Sequence, residues 1–462
     1  MKIAIVRVIR NPDNYFFDLF DAATAGTLRS RGHDAIVVER IAAPGFDESD
    51  LLDGLFSFLV DFEPRLVFLS YLPTADLAAR IKEFTGATVV VFGSRLLLAA
   101  PGVDYVIAEP DPLACNELVE VLEGTRPQAA VAALRWQEGG AQRSSGKPLH
   151  AVVEIFSRCD IDYGAFYRLG PGRAPEIRKH IAADWGCAYR HTKPADGIVS
   201  AVTLPPDVPS GGCTFCTRPA WSPMDWSVTG PLLGKQFDAV CSAFPDLAKL
   251  IVIDEHVLSY VDELAILLAD RPVEALEVLL SGRLDHIPRY QRTIREAAKR
   301  LDGICTLAFY QFGIENLADS VLGRYNKGLS WPQIRNALEV MNKLVADYPN
   351  LAVEQSFGFI LFDPWTTLEE LRTNVLRARE INLDRYRGRA AHTSLRLLPE
   401  MALYWRAKAD GLLSGSIEEN LFGYSVNSGW RFQHPEVASV FQAFNSRRGE
   451  QDDWMLLESI MQ

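Results

Sequence analysis

The chain opens on a short apolar run rich in β-branched residues, KIAIVRVI at residues 2 to 9. A run of that length and composition predicts a buried strand. Behind it, FFDLFDAATAGTLRSRGH has helical spacing and ends on Arg31-Gly32, a helix C-cap. DAIVVER then reads as a strand, DESDLLDGLFSFLVDFE as a helix, RLVFLSYL as a strand and TADLAARIKEFTG as a helix. ATVVVFGS and VDYVIAE follow as strands and DPLACNELVEVLEG as a helix. Such alternation predicts a parallel sheet flanked by helices, with its ligand crevice at the carboxyl ends of the strands. Residues 1–125 therefore read as a doubly wound, Rossmann-like α/β domain.

Beyond residue 125 the pattern lapses. ALRWQEGGAQRSSGKPLH is polar and rich in Gly and Ser, a linker or an exposed hairpin. The linker is the preferred reading, and residues 126–180 form a connecting segment. From 181 to 400 a second alternation runs, with HIAADWG, LAKLIVIDEH, LEVLLSGRLD, GICTLAFYQFGIEN, LAVEQSFGFILFD and AHTSLRLLPE as strands. YVDELAILLADR, YQRTIREAAKRL, SWPQIRNALEVMNKLVAD and TLEELRTNVLRAREI are the helices between them. Six strand–helix steps predict a partial (β/α)6 barrel with chemistry at the carboxyl ends of its strands. Residues 401–462, which include NLFGYSVNSGWRF, read as a small mixed C-terminal cap.

Composition narrows the class. A length of 462 residues suggests two or three domains, and 48% hydrophobic with 23% charged residues supports water-soluble cores. No stretch of 18 uncharged apolar residues predicts a membrane span. The N-terminus carries charges at Lys2, Arg7 and Arg10, unlike a signal peptide, so a cytosolic protein is expected. The net charge of -12 argues against a broad nucleic-acid grip while leaving room for a local basic patch. Seven cysteines in such a chain point to metal binding or catalysis rather than disulfides.

Cys213 and Cys216 lie in GGCTFC, where glycines let the backbone turn about a metal and an aromatic shields it. The pair reads as buried thiols in a turn, as part of a zinc site with Cys187 and His191, or as ligands of an iron–sulfur cluster.

In chain order the sequence offers WGCAYR, GGCTFC, IVIDEHVL, LSGRLD, FGIENLADSVLGRYNKGLS, FGFILFDPWTTLEELRTNVLRARE and LRLLPEMALYWRAKADGLL. This resembles the radical S-adenosylmethionine (SAM) superfamily, whose partial barrel carries a four-iron cluster on three cysteines. The most specific segment is GIENLADSVLGRYNKGLS, similar to the family's fourth-strand Gly-Ile-Glu followed by Leu-x-x-x-Asn-Lys-Gly. Further upstream, LRSRGHDAIVVE, EPRLVFLSYL, VVVFGS and VDYVIAEPD resemble the cobalamin-binding domain found ahead of many such barrels. The fold implied is a cobalamin-binding-type Rossmann domain, a radical SAM barrel and a cap.

The family's cysteines stand as CxxxCxxC, and here the pattern departs. Pro209 lies four residues before Cys213, and His191 stands where the second cysteine would follow Cys187. Four prolines and three glycines populate the 25 residues between Cys187 and Cys213. The resemblance implies Cys187, Cys213 and Cys216 as ligands of a [4Fe-4S] cluster, with Cys159 in FSRCDID as the alternative distant ligand. Cys115, Cys241 and Cys305 read as buried thiols. In this family the open iron chelates the amino and carboxylate groups of S-adenosylmethionine, whose sulfonium bond is cleaved on reduction.

Other candidates sit at strand ends. Asp254 and Glu255 end LIVIDEH, Asp254 as a catalytic group or as the N-cap of the next helix, Glu255 beside the cofactor. Arg283 pairs with the carboxylate of S-adenosylmethionine or of a substrate, or forms a surface salt bridge. The resemblance implies that Glu315, at the end of FYQFGIE, contacts the ligand's polar groups. Phe362-Asp363-Pro364-Trp365 replaces the family's Gly-x-Pro-Gly, which implies a remodelled substrate rim. For cobalamin there is no Asp-x-His-x-x-Gly motif, so Ser70, Tyr71 and Leu72 would meet the cobalt face, and Gly93-Ser94 and AEPD would lie along the nucleotide tail.

The activity implied is methyl transfer to an unactivated carbon of a small molecule or peptide, with flavodoxin or ferredoxin as electron donor. A cobalamin-independent reaction, such as 3-amino-3-carboxypropyl transfer or a rearrangement, is the alternative within the family. A non-catalytic metal-binding sensor is the rival from another class. A tRNA-modifying enzyme is disfavoured by the acidic balance.

Overall fold

The structure is a computed structural model. It describes residues 1–9, 18–41, 48–70, 76–169, 178–192, 202–206, 208–220, 224–271, 273, 275–387, 393–419, 426–447 and 452–462. The chain divides into two compact units, one of residues 1–183, 225–249 and 417–427, the other of 184–224, 250–416 and 428–462.

In the first unit β1 (Lys2–Ile9), α1 (Asp18–Ser30), β2 (Asp34–Ile41), α2 (Glu48–Phe62), β3 (Leu66–Leu69), α3 (Leu77–Thr85), β4 (Thr88–Phe92), β5 (Tyr105–Ile107) and α4 (Pro112–Leu122) follow the predicted alternation. They are succeeded by β6 (Leu134–Glu138), β7 (Ala141–Ser144), α5 (Val152–Arg158), β8 (Phe166–Leu169), β9 (Arg178–Ala182) and α6 (Trp226–Ala243). One sheet has the order β7-β6-β5-β4-β3-β1-β2-β8. Its β1–β5 and β8 pair in parallel.

β1 explains why an uninterrupted apolar run suits this sheet. Ile3 and Ile5 pack with Ala25 and Leu28 of α1 and Leu118 of α4. The alternate residues Ala4, Val6 and Val8 pack with Leu55 and Leu59 of α2 and Leu77 and Ile81 of α3. Both faces are covered, so successive side chains are all buried, and each such Ile, Leu or Val contributes about 1.5–3 kcal/mol.

Residues 134–144 are not a linker. They pair as an antiparallel hairpin that continues the sheet beyond β5. Leu134 is fully buried and Trp136 packs on the same core, so two apolar anchors in a polar stretch suffice to dock it. β9 is the edge strand of the second, six-stranded sheet, the barrel place that the sequence reading gave to HIAADWG. Gln236 of α6 accepts from the Ala182 amide at 2.7 Å and donates to its carbonyl at 3.0 Å.

At the carboxyl ends of the strands the first unit buries charge. The chain crosses from β2 back over β1 to β3, the reversal point at which such sheets form a ligand crevice. There Arg7 Nη1 donates to Asp21 at 2.5 Å, and the Ser70 hydroxyl donates to the same carboxylate at 3.0 Å. Glu39 lies 3.8 Å from Arg7 Nε. Burial pushes Asp21 up to about 6, with Arg7 and Ser70 pulling against it. Burial would also raise Asp18, but Lys179 at 3.0 Å and His180 at 3.1 Å outweigh it and hold that carboxyl low.

In the second unit β10 (Lys249–Ile253), β11 (Glu277–Arg283), β12 (Thr306–Glu315) and β13 (Leu351–Val353) lie side by side, and β14 (Gly358–Phe359) pairs with the carboxyl end of β12. The pairings of β12 with β11, β13 and β14 are all parallel. Helices α7 (Val261–Ala269), α8 (His286–Arg289), α9 (Gln291–Arg300), α10 (Asp319–Arg324), α11 (Trp331–Asp347) and α12 (Leu368–Ile381) connect them. The predicted sixth strand, 391–400, contributes only isolated bridges among its described residues, Phe362 to Ser394 and Leu397 to Ser428. Among the described residues no helix is long and apolar enough to cross a membrane.

Candidate functional site

The site forms where β10, β11 and β12 end. Its centre is the segment from Gly211 to Cys216, which is not a regular element and is held almost wholly by hydrogen bonds from elsewhere. The Thr214 amide donates to the Tyr325 carbonyl at 3.0 Å and its hydroxyl to the Arg324 carbonyl at 2.9 Å. The Asn326 amide donates to the Gly212 carbonyl at 2.8 Å. Cys187 reaches the same place on a second strand of chain: its amide donates to the Pro219 carbonyl at 2.9 Å, and it bridges to Ala220.

All three cysteines are free thiols. Burial raises each: Cys213 to about 11, Cys187 and Cys216 upward as well. Cys187 and Cys213 each feel Cys216, and cations oppose the burial. Lys327 and Arg283 draw Cys213 back down, and Arg190 and the Arg218 amide do so for Cys216. The Arg218 amide donates to Cys216 Sγ at 3.4 Å. A thiol has to lose its proton to bind metal, and these cations are the groups that favour the loss.

Arg283 is buried rather than at the surface. Its guanidinium stacks 3.8 Å from the Tyr189 ring, donates to the Lys327 carbonyl at 2.8 Å, lies 3.0 Å from Asp285 and stands 3.9 Å from Cys213 Sγ. Tyr189 is pinned on its other side by Gly328, where a Cβ would collide with the phenol oxygen. The Asn326-Lys327-Gly328 triplet thus serves the site residue by residue: an amide for the cysteine loop, an ammonium for Glu315, and space for Tyr189.

Glu315 ends β12 with φ of 66°, a left-handed conformation rare outside glycine. Lys327 Nζ donates to its Oε1 at 3.0 Å. Burial alone would lower Lys327, but Glu315 and Cys213 more than offset this and keep it raised. Gly313 and Gly358 make room for the pair: a Cβ on Gly313 would collide with both Glu315 Oε1 and Lys327 Nζ, and one on Gly358 would come within 3.2 Å of Glu315 Oε2.

Asp254 and Glu255 diverge. Glu255 faces Arg218 at 3.6 Å and raises both Cys187 and Cys216, so it stands on the cysteine side. Asp254 is buried, accepting from the His256 amide and the Tyr260 hydroxyl, each at 2.7 Å. It fixes the turn after β10. Burial pushes Asp254 up to about 8. A folded value above the unfolded one means that its contribution is fully present at acid pH and is lost as pH rises toward 8. Asp254→Asn is therefore expected to flatten the fall in melting temperature between pH 5 and pH 8, with little effect at pH 5. A parallel fall in both proteins would remove Asp254 as its source.

Several sequence expectations change. No three His, Cys, Asp or Glu side chains among the described residues converge on a single ion. That holds for the zinc arrangement of Cys187, His191, Cys213 and Cys216 as for the three cysteines alone; thiolates of a four-iron cluster each bind a different iron and stand further apart than the ligands of one zinc ion. Cys159 is buried in the first unit beside Thr27, pushed up to about 11 by burial. In the turn Phe362–Trp365, Trp365 packs with Phe215, Tyr325 and Leu403, and buried Asp363 accepts from Arg324 at 2.9 Å. An aromatic in place of glycine fills that core.

Of the residues expected at the cobalt face, Tyr71 and Leu72 lie outside the described residues, and Ser70 turns its hydroxyl inward to Asp21. Gly93 follows β4 with φ of 132°, which glycine holds readily, and Ser94 caps the 3-10 turn 95–99. Sequence reasoning quoted the segments holding Tyr189, Arg190, Asn326, Lys327 and Gly328 without giving these residues roles. Their signal was present in the Gly-Cys-x-Tyr-Arg and Asn-Lys-Gly clusters.

Compared by sequence, the chain matches no family model and no curated protein. Compared by structure, it matches OxsB, a cobalamin-dependent S-adenosylmethionine radical enzyme solved with aqua-cobalamin and S-adenosylmethionine, with a TM-score of 0.56 at 15% identity over 99% of this chain and 70% of that one. It also matches TsrM, a radical S-adenosylmethionine methyltransferase from Kitasatospora setae. The TsrM structure with tryptophan and aza-SAM gives a TM-score of 0.57 at 14% identity, over 99% of this chain and 89% of that one. The TsrM structure with cobalamin and a [4Fe-4S] cluster gives 0.55 at 15% identity, over 91% and 80%. The chain has the fold of the cobalamin-dependent radical SAM enzymes.

Proposed function

We propose that this chain is a radical SAM enzyme that holds a [4Fe-4S] cluster on Cys187, Cys213 and Cys216. The observation that carries the reading is that three free cysteines lie within electrostatic reach of one another at the carboxyl ends of the second unit's strands, with the buried cations Arg283 and Lys327 beside Cys213. The donor set fits: soft thiols, no competing disulfide, and cations that favour their ionised form. Glu315 and Lys327 would offer one charge of each sign to the amino and carboxylate groups of S-adenosylmethionine, and Arg283 would hold Tyr189 and the cysteine loop in register.

In the first unit cobalamin would lie along the carboxyl edge of the sheet, where Gly93 and Ser94 end β4 without a bulky side chain. When bound, the cluster would supply an electron to the sulfonium of S-adenosylmethionine and cobalamin would carry the methyl group. The reaction proposed is methyl transfer to an unactivated carbon of a small molecule or peptide, with the electron drawn from a flavodoxin or ferredoxin. The fold shared with TsrM and OxsB supports this class of chemistry.

The test is anaerobic purification and reconstitution of wild type and Cys187→Ala, with iron, sulfide and cobalt measured on each. The expected result is about four irons per chain in wild type, lost in the variant, with cobalt retained in both. Wild type without iron would remove the reading. Iron without cobalt would remove the cobalamin-dependent reaction.

A further inference from the structure

Cys187 and Cys213 are separated in sequence by a long excursion, yet the structure closes that excursion at its base. Residues 188–191 make a single 3-10 turn in which the Arg190 amide donates to the Cys187 carbonyl at 3.0 Å. Two residues later the chain is met by its own return: the Gly212 amide donates to the Thr192 carbonyl at 2.8 Å. The approach is close enough to demand glycine. A Cβ on Gly211 would collide with the carbonyl oxygens of Arg190 and Thr192, and one on Gly212, where φ is 73°, would come within 3.0 Å of Arg190 Cα.

The Arg190 side chain spans this closure. Its guanidinium donates to four carbonyls: Gly211 at 2.9 Å, Cys213 at 3.2 Å, Cys216 at 2.6 Å and Arg218 at 2.8 Å. Only arginine has a planar fork with enough donors for such a set; lysine offers three donors on one atom. These carbonyls belong to the loop that carries two cysteines and to the residue just beyond it. Their orientation fixes where the thiols of Cys213 and Cys216 point relative to Cys187. If residues 191 to 212 were removed at the closure, Ala188, Tyr189 and Arg190 would stand between Cys187 and Cys213, the spacing of an uninterrupted motif.

We propose that Arg190 is a positioning residue that clamps the neck of an inserted segment, so that the three cysteines form one compact site and the insertion is separable from it. The inference rests on the cluster reading above and adds to it the device that lets a split motif work. Arg190 acts through the loop carbonyls and supplies no ligand of its own. Thr192, Gly211 and Gly212 form the rest of the neck, and Asn326 secures it from the second unit's own barrel end.

The experiment is cluster retention under a chelator, read by visible absorbance and iron content, in six proteins. These are wild type, Arg190→Ala, Arg190→Lys, a deletion of residues 191–212, that deletion with Arg190→Ala, and a variant with residues 193–210 replaced by a short Gly/Ser linker. Arg190→Ala is expected to lose its cluster about tenfold faster than wild type, the effect of losing a set of shared hydrogen bonds, and Arg190→Lys to recover little of it. The deletion and the linker variant are expected to keep their clusters, and Arg190→Ala is expected to matter little once the neck is gone.

Wild type without iron would defeat the cluster reading itself. Wild type with iron and an unchanged Arg190→Ala would overturn the clamp alone. Equal loss with and without the insertion would overturn it too, by moving the action of Arg190 to the cluster. Far-UV circular dichroism identifies a deletion that does not fold, in which case the linker variant decides: a folded linker variant without its cluster would overturn separability.

Discussion

Lys327→Met is expected to destabilise the protein by about 3–5 kcal/mol, the usual cost of stripping one partner from a buried ion pair. The reason lies in how little else faces Glu315. Its carboxylate is held over Gly313 and Gly358, where no side chain exists to replace the lost ammonium, and the strand end is already in a left-handed conformation. The glycines that make space for the pair also prevent compensation. The melting temperature should fall by about 10 °C, and Glu315→Gln combined with Lys327→Met should recover most of it, because the neutral amide needs no cation. A double variant as unstable as the single would show that Lys327 acts by packing. The single variant should also hold iron less tightly, since Lys327 is one of the two cations favouring the ionised form of Cys213.

Arg7→Met in the first unit should have a comparable effect for the same reason, with a signature in pH. Arg7 is fully buried and faces both Asp21 and Glu39. Without it, Asp21 remains buried at the carboxyl edge of β1 with its charge unmatched, at about 3–5 kcal/mol near neutral pH, while Glu39 keeps Arg168 at 3.2 Å. Asp21 is already pushed up to about 6 by burial. In the variant it protonates more readily still, and a neutral carboxyl needs no counter-ion. The deficit should therefore be largest at pH 8 and shrink as pH falls through 6. Chemical denaturation of wild type and variant at pH 5.5 and pH 8 would measure it; a deficit independent of pH would mean that Arg7 contributes packing and not charge.

Both predictions concern side chains that sequence reading passed over. Arg7 interrupts an apolar run that otherwise reads as plain strand, and nothing local says that its charge is buried. Its partners come from α1, 14 residues on, and from β2. Lys327 stood inside the quoted Asn-Lys-Gly cluster, yet its partner Glu315 ends the preceding strand and their meeting depends on two glycines, one from each of β12 and β14. The cysteines, by contrast, stood out in the sequence: their chemistry is rare, and their order along the chain resembles the family pattern despite the break.

The hairpin at 134–144 and the core position of Trp365 show the other limit. In both, polar or turn-like composition pointed outward, while one or two large apolar side chains found a surface that exists only after the rest has folded. A local pattern reports average exposure, and it cannot report a cavity waiting elsewhere in the chain.

What this sequence determined by itself is the succession of strands and helices, because periodicity is a local property, and it singled out the thiols proposed to hold the cluster, because soft-ligand chemistry is local too. What only the tertiary structure decided is how Cys187 comes to Cys213 across the excursion, and which charges neutralise which. Those depend on the closure at Arg190, Thr192 and Gly212 and on pairings between elements remote in sequence, where the energy lies in burial that no single segment possesses alone.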